Sequence, residues 1–133
     1  MKALVIIAVA AVAIAIVPLP QTVAPDWTVV TLDAARRPLS GITVREVWQQ
    51  YSVENRSHEE DLWTDTNGKV HFPRRTYWTS VAHRVLGCMG EVSSTGVHAS
   101  CGPHSYLVVF GKGVDTMDWA DMSQESGMPI PWQ

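Results

Sequence analysis

An uninterrupted apolar run near the N-terminus constrains this chain more than any other feature of its sequence. Residues 3–17 read ALVIIAVAAVAIAIV, and Lys2 precedes them directly. A basic start, an apolar stretch and a polar exit are typical of a segment that directs export. The run is short for a membrane span, which needs about 20 apolar residues, but long for the core of a signal peptide. We therefore predict that residues 1–24 are a signal peptide or an N-terminal anchor. The protein would then be exported, to the periplasm, the cell surface or the medium.

The fate of this segment after export stays open in the sequence. Cleavage favours small residues at −1 and −3, and Thr22 and Ala24 nearly satisfy that rule. Pro25 would then stand at +1, where it is unfavourable. Cleavage is the favoured alternative and retention as an anchor is the other. If the segment is retained, we expect membrane contact only through residues 3–17.

Length and charge limit what the rest of the chain can be. A chain of 133 residues predicts one domain, which we assign to residues 25–113, followed by a C-terminal tail at 114–133. The net charge is −3, and the only paired basic residues are Arg36 with Arg37 and Arg74 with Arg75. Nucleic-acid binding needs a positive face, so we expect no nucleic-acid partner.

The two cysteines, Cys88 and Cys101, are interpreted through the export segment. An even number of cysteines in an exported chain predicts a disulfide, because that compartment is oxidising. The alternative is a pair of buried thiols. In the chain-entropy model, a bond that closes so short a loop stabilises the fold by roughly 3 kcal/mol.

Short segments rich in β-branched and aromatic residues predict strands at 27–32, 42–53, 62–64, 69–72 and 105–110. Within 42–53 the apolar phase changes, which predicts a bulge near Arg45 and Glu46 or a strand that passes between two sheets. Residues 54–61 predict a solvated loop. Residues 76–87 are compatible with a short helix or a strand, and the helix is favoured. Residues 88–103 predict a loop. Strands with turn signals between them predict an all-β sandwich of about seven strands.

Two turns have clear sequence signals. Gly41 lets the chain turn into the second strand, and Asp65, Asn67 and Gly68 predict a β-hairpin that pairs residues 62–64 with residues 69–72. Asp65 and Asn67 also begin a calcium-loop pattern, but the acidic residues that such a loop needs do not follow.

The sequence resembles the carboxypeptidase regulatory-like domain in two motifs, which read RPLSGITV at residues 37–44 and TDTNGKVHFP at residues 64–73. The resemblance implies a transthyretin-like (prealbumin-like) Greek-key β-sandwich. Members of that family are mostly accessory modules without catalytic residues. The family's usual Pro-Gly-x-Tyr strand is replaced here by Arg74, Arg75, Thr76 and Tyr77, so the resemblance supports the first half of the sandwich.

Histidine and tryptophan provide the candidate binding residues. His58 with Glu59 or Glu60, or His98 with His104, could bind a metal, although none of these pairs has a tight ligand spacing. We favour structural or solvated histidines, and we expect no cofactor. The chain has six tryptophans, and exposed aromatic rings can stack on sugars or anchor a partner. We expect Trp48 and Trp63 to be buried or half-buried, and Trp119 and Trp132 to cover edges.

The sequence contains no G-x-S-x-G motif, and Cys101 is better explained by a disulfide than as a nucleophile. We therefore expect a non-catalytic exported module whose partner is a protein, a cell-envelope component or a saccharide. A metal-binding protein and a membrane-anchored structural subunit are the alternatives.

Overall fold

The computed structural model describes residues 2–112, 119–121 and 130–132, with side chains described as far as residue 112. The described chain is mostly β, with two helices. The elements are α1 (Lys2–Ile16), β1 (Pro18–Ala24), β2 (Trp27–Thr31), β3 (Thr43–Gln50), β4 (His58–Trp63), β5 (Lys69–Phe72), β6 (Arg75–Ser80), α2 (Val81–Thr95), a 3-10 turn (Gly96–His98), β7 (Pro103–Phe110), β8 (Trp119–Asp121) and β9 (Ile130–Trp132).

The described strands form three sheets. One has the order β5-β2-β9, the second has the order β4-β3-β7-β8, and β1 pairs with β6 in the third. Neighbouring strands are antiparallel except for β2 and β9, which are parallel. The tail predicted for residues 114–133 is described only at β8 and β9, and its other residues lie outside the described part of the chain.

The hydrophobic core lies between the two larger sheets. Each strand alternates its side chains between two faces, so every second residue can point into this core. In β2 the buried positions are Trp27, Val29 and Thr31. The core cluster takes side chains from both sheets, namely Trp27, Val29, Ile42, Val44, Val70, Phe72, Leu107 and Val109.

The turn at Asp65 connects the two larger sheets. Asp65 Oδ1 accepts hydrogen bonds from the backbone N–H groups of Lys69 (2.9 Å) and Asn67 (2.7 Å), which lower the pKa of this carboxyl. Gly68 has a φ of +70°, a conformation that costs a glycine little. The predicted hairpin is wrong, because β4 pairs with β3 while β5 pairs with β2. Val70 and Phe72 are needed on the core face of the other sheet, so the chain crosses between sheets here.

Residues 54–61, predicted as a solvated loop, are in part a strand. β4 begins at His58 and continues to Trp63. Its charged side chains are balanced across the strand pair, since Arg45 of β3 forms ion pairs with Glu59 (2.9 Å) and Asp61 (2.7 Å). Polarity indicated a loop, but paired charges also suit an edge strand whose outer face is solvated.

The helix favoured for residues 76–87 is displaced. Residues 75–80 form β6, and α2 begins at Val81 and continues to Thr95. Ser80 caps the helix, because its side chain accepts a hydrogen bond from the N–H of His83 (3.2 Å). The loop predicted for residues 88–103 is therefore wrong over 88–98.

The predicted disulfide is present in the structure. Cys88 on α2 is bonded to Cys101, which stands just before β7, and their Cα atoms are 5.3 Å apart. The bond ties the middle of α2 to the start of a central strand.

The strand β1 arises from residues that the sequence assigned to the export segment. Pro18–Ala24 pairs with β6, and its last two residues, Val23 and Ala24, are 1% and 0% exposed. Among the described residues, no helix combines the length and hydropathy required to cross a membrane.

Two glycines of α2 provide a test of how this helix packs. A Cβ at Gly87 would lie 1.6 Å from the backbone oxygen of Ser52, whereas a Cβ at Gly90 would meet nothing within 4 Å. We expect Gly87→Ala to lower the free energy of unfolding by about 1–3 kcal/mol through overpacking. Gly90→Ala should raise it by about 0.5–1 kcal/mol, because alanine loses less entropy in a helix. Urea unfolding measures both, and equal effects would contradict the packing of α2 on Ser52.

Candidate functional site

A small cleft lies where β3 ends and β7 begins. It has a volume of about 120 Å³. Its walls combine aromatic rings with a few polar groups, and the lining residues are Val47, Trp48, Gln49, Tyr51, Ser57, His104 and Tyr106.

The register of β3 with β7 explains why these side chains meet. Val47 stands opposite Tyr106 and Gln49 stands opposite His104, so all four share the face of the sheet that points away from the core. The chain then turns, and the N–H of Tyr51 donates to the carbonyl of Gly102 (2.9 Å). This bond fixes Tyr51 beside the two β7 residues.

Three rings form a continuous row in the cleft. The ring centroids of Tyr51 and His104 are 5.6 Å apart, and those of His104 and Tyr106 are 5.7 Å apart. Both pairs are tilted, at distances typical of favourable aromatic contacts. The row therefore presents a preformed aromatic surface, with the tyrosine hydroxyls and the imidazole as polar groups.

A polar cluster lies on the opposite face of β3. Glu46 is 0% exposed, and its Oε2 accepts a hydrogen bond from Nε of Arg75 (2.9 Å). Arg75 also pairs with Glu60 of β4, and its guanidinium carbon stands 4.5 Å from the ring centroid of Trp48. The other partner of Trp48 is His58, stacked at 5.5 Å. One arginine thus joins β6 to two strands of the larger sheet.

Burial has a clear effect on Glu46. Removal from water raises the pKa of this carboxyl, and the bond to Arg75 works in the opposite direction. Its second oxygen, Oε1, has no hydrogen-bond partner within the described part of the chain. Because Glu46 is closed off from solvent, we interpret its bond to Arg75 as a structural contact between β3 and β6 and not as a ligand site.

The bulge that the sequence predicted near Arg45 and Glu46 is wrong. β3 pairs with β4 and with β7 without a register shift. The apolar phase changes because Glu46 occupies a core-facing position and is paired with Arg75, while Val47 is buried on the other face. The signal in the sequence was a charged residue, Glu46, at a strand position that faces the core, because such a residue needs a buried partner.

The five candidate metal ligands do not form one site, and Glu60 is already paired with Arg75. His58 and Glu59 are consecutive in β4 and point to opposite faces, where His58 bonds to Glu54 (2.7 Å) and Glu59 pairs with Arg45. His98 is in the 3-10 turn, and only His104 reaches the cleft. Over residues 2–112 no three His, Cys, Asp or Glu side chains gather as a metal site would require. Elemental analysis of untagged protein tests the metal hypothesis directly.

Sequence reasoning missed the cleft. Tyr51, His104 and Tyr106 come from two distant segments, and the pairing of β3 with β7 could not be derived from local patterns. The spacing of His104 and Tyr106 was the available signal, because two polar aromatic residues alternate there with the buried Ser105 and Leu107. Trp63, expected to be buried or half-buried, is 68% exposed. Trp119 and Trp132 have side chains outside the described part.

Comparison with protein-family models, with curated proteins and with solved structures finds no significant match to this chain.

The pair of Glu46 and Arg75 generates a pH-dependent prediction. Arg75→Met should lower the free energy of unfolding at neutral pH by about 3–5 kcal/mol, because it leaves a buried carboxylate unpaired. The pKa of Glu46 is raised in the folded protein, so the folded state binds this proton more tightly than the unfolded state does. The free energy of unfolding is therefore highest at low pH, and it falls as the pH rises from the usual range of a glutamate pKa to the pKa of Glu46 in the folded protein. The decrease in the free energy of unfolding that Arg75→Met causes should therefore become larger as the pH rises.

The control is the double variant Glu46→Gln with Arg75→Met. It has no buried carboxyl at position 46, so the additional pH dependence should disappear. Urea unfolding between about pH 4 and pH 8 measures the slope. An equal slope in both variants would exclude Glu46 as the titrating group.

Proposed function

We propose that this chain is a non-catalytic, exported binding module whose ligand contributes one ring-sized group to the aromatic cleft. The ligand class that suits the cleft best is a cell-envelope saccharide. The row of Tyr51, His104 and Tyr106 is the observation that carries the proposal.

The volume of the cleft supports a ligand of which only one part enters the cleft. Sites that enclose a whole small molecule are usually about 300–1,000 Å³, and this cleft measures about 120 Å³. A terminal sugar or one ring of a longer chain suits such a volume. The remainder of the ligand would then lie across the exposed sheet face.

The chemistry of the walls favours a ligand with both apolar and hydroxyl surfaces. A tyrosine offers an apolar ring face and a hydroxyl, which matches the C–H face and the hydroxyl groups of a sugar. Gln49 is already engaged, since its Nε2 donates to the carbonyl of Glu54 (2.9 Å). Ser57 and His104 are the neighbouring polar groups. A protein side chain is the second type of occupant that these walls suit.

The fold that we propose is the transthyretin-like Greek-key β-sandwich of carboxypeptidase regulatory-like domains. The common core of the two larger sheets supports it, as does the crossing from β4 to β5 at Asp65 within the second motif. The disulfide between Cys88 and Cys101 supports export, because such bonds persist in oxidising compartments.

The binding proposal is tested by calorimetric titration with a panel of soluble envelope oligosaccharides, peptidoglycan fragments included. We expect Tyr51→Ala and Tyr106→Ala to weaken binding at least about tenfold, which corresponds to 1.4 kcal/mol. Trp63→Ala is the matched control, because it removes an exposed ring from the same sheet outside the cleft. Its affinity should equal that of the unchanged protein.

Two results would contradict this proposal. Equal loss of affinity in Trp63→Ala would place the binding surface elsewhere on the sheet. Turnover of an oligosaccharide by purified protein, abolished by a cleft substitution, would show that the module is catalytic.

A further inference from the structure

The helix α2 has its polarity reversed relative to an ordinary surface helix. A helix that packs on a globular body normally buries its apolar stripe and exposes its polar side. In α2, Val81, Val85, Met89 and Val92 lie on one stripe, spaced by four, four and three residues, and Leu86 borders it. All five are exposed, Met89 by 60% and Leu86 by 66%.

The side of α2 that faces the body carries the small and polar residues. Gly87 approaches the backbone of Ser52 so closely that no Cβ fits there. Arg84 and Glu91 are half-buried on the same side. The helix is thus firmly oriented, and its apolar stripe points outward because of that packing.

The neighbouring helix α1 needs an apolar environment on every side. Its sequence is KALVIIAVAAVAIAI, and none of its residues is buried. An all-apolar helix belongs in a protein core or in lipid. The structure brings α1 into contact with α2, so the two exposed apolar surfaces belong to neighbouring helices, and we call them together the apolar base.

The strand β1 indicates that α1 cannot be removed at the cleavage position nearest the fold. Cleavage after Ala24 would take away the only described partner of β6, together with the buried side chains of Val23 and Ala24. Such an N-terminus would cost part of the core. Retention of α1 as part of the folded protein avoids this loss.

We propose that α1 stays on the mature protein and enters the apolar region of a bilayer, and that α2 lies on the same bilayer with its stripe in lipid. Lipid is the one partner that suits both the all-apolar helix α1 and the exposed apolar stripe of α2. α1 has 15 residues and is about 22 Å long, so contact with lipid does not require it to cross. Since α2 contacts α1, insertion of α1 brings the outward stripe of α2 to the membrane surface. This inference stands apart from ligand binding in the cleft.

The test uses the full chain in phosphatidylcholine vesicles that contain a small fraction of phosphatidylcholine with a diazirine in its acyl chain. After illumination, mass spectrometry maps the lipid adducts. We expect adducts on α1 and on the exposed apolar residues of α2, at Val85 or Met89 in the stripe or at Leu86 beside it, and none on Trp63 of β4. Intact mass of protein isolated from an exporting cell should include residues 2–17.

A pair of double variants provides the matched control. Val85→Gln with Met89→Gln should reduce lipid adducts on α2 at least about fivefold, because polar side chains lower insertion of an interfacial helix. His83→Gln with Ser94→Gln makes two comparable changes on exposed residues outside the stripe and should leave the adducts unchanged.

Three results would overturn the inference. Adducts confined to α1 would show that the stripe does not contact lipid. Cross-links between two copies through α2 in place of lipid adducts would assign the stripe to a dimer. A mature N-terminus at Ile16 or later would show that α1 is removed, for which Ala13 and Ala15 supply a small-residue site that spares β1.

Discussion

The structure depends on the burial of one apolar face from each of the two larger sheets. Trp27, Val29 and Phe72 come from one sheet, and Val44 and Leu107 from the other. At about 25 cal/mol for each Å² of apolar surface removed from water, this contact is the main favourable contribution to folding. It also dictates the path of the chain, since a strand must enter whichever sheet needs its apolar face. The crossing at Asp65 follows from that requirement.

Local patterns predicted the elements that have a strong period or a strong turn signal. β2 and β7 could be read from runs of β-branched and aromatic residues, and the turn at Asp65 from its asparagine and glycine. Pairing could not be read in the same way. The sequence of residues 62–72 does not indicate that β5 pairs with β2, because the choice of partner strand depends on an apolar surface more than thirty residues away. For the same reason the cleft could not be predicted, since it exists only where Tyr51 meets β7.

Charge was the second source of error, and in each case a partner elsewhere in the chain explains it. The acidic residues of β4 indicated a loop, yet Arg45 neutralises two of them and Arg75 a third. Glu46 appeared as an interruption of β3, yet it is the buried end of a bond that fixes β6. A buried ion pair adds little net stability, but removing one partner is costly. We therefore interpret this pair as a contact that selects the meeting of β3 with β6 more than one that strengthens the fold.

The loop after β3 connects the aromatic cleft to the apolar base. Tyr51 contributes a ring to the cleft, while the next residue, Ser52, contacts Gly87 of α2 through its backbone. The hydroxyl of Ser52 accepts a hydrogen bond from the N–H of Gly102 (2.9 Å), and the disulfide joins the adjacent Cys101 back to α2. The helix α2, the loop after β3 and the start of β7 are thus each linked to the other two, and together they form a closed circuit of contacts. If α2 lies on a bilayer, this circuit fixes the height and direction of the cleft relative to the lipid, as a module that binds an envelope component requires.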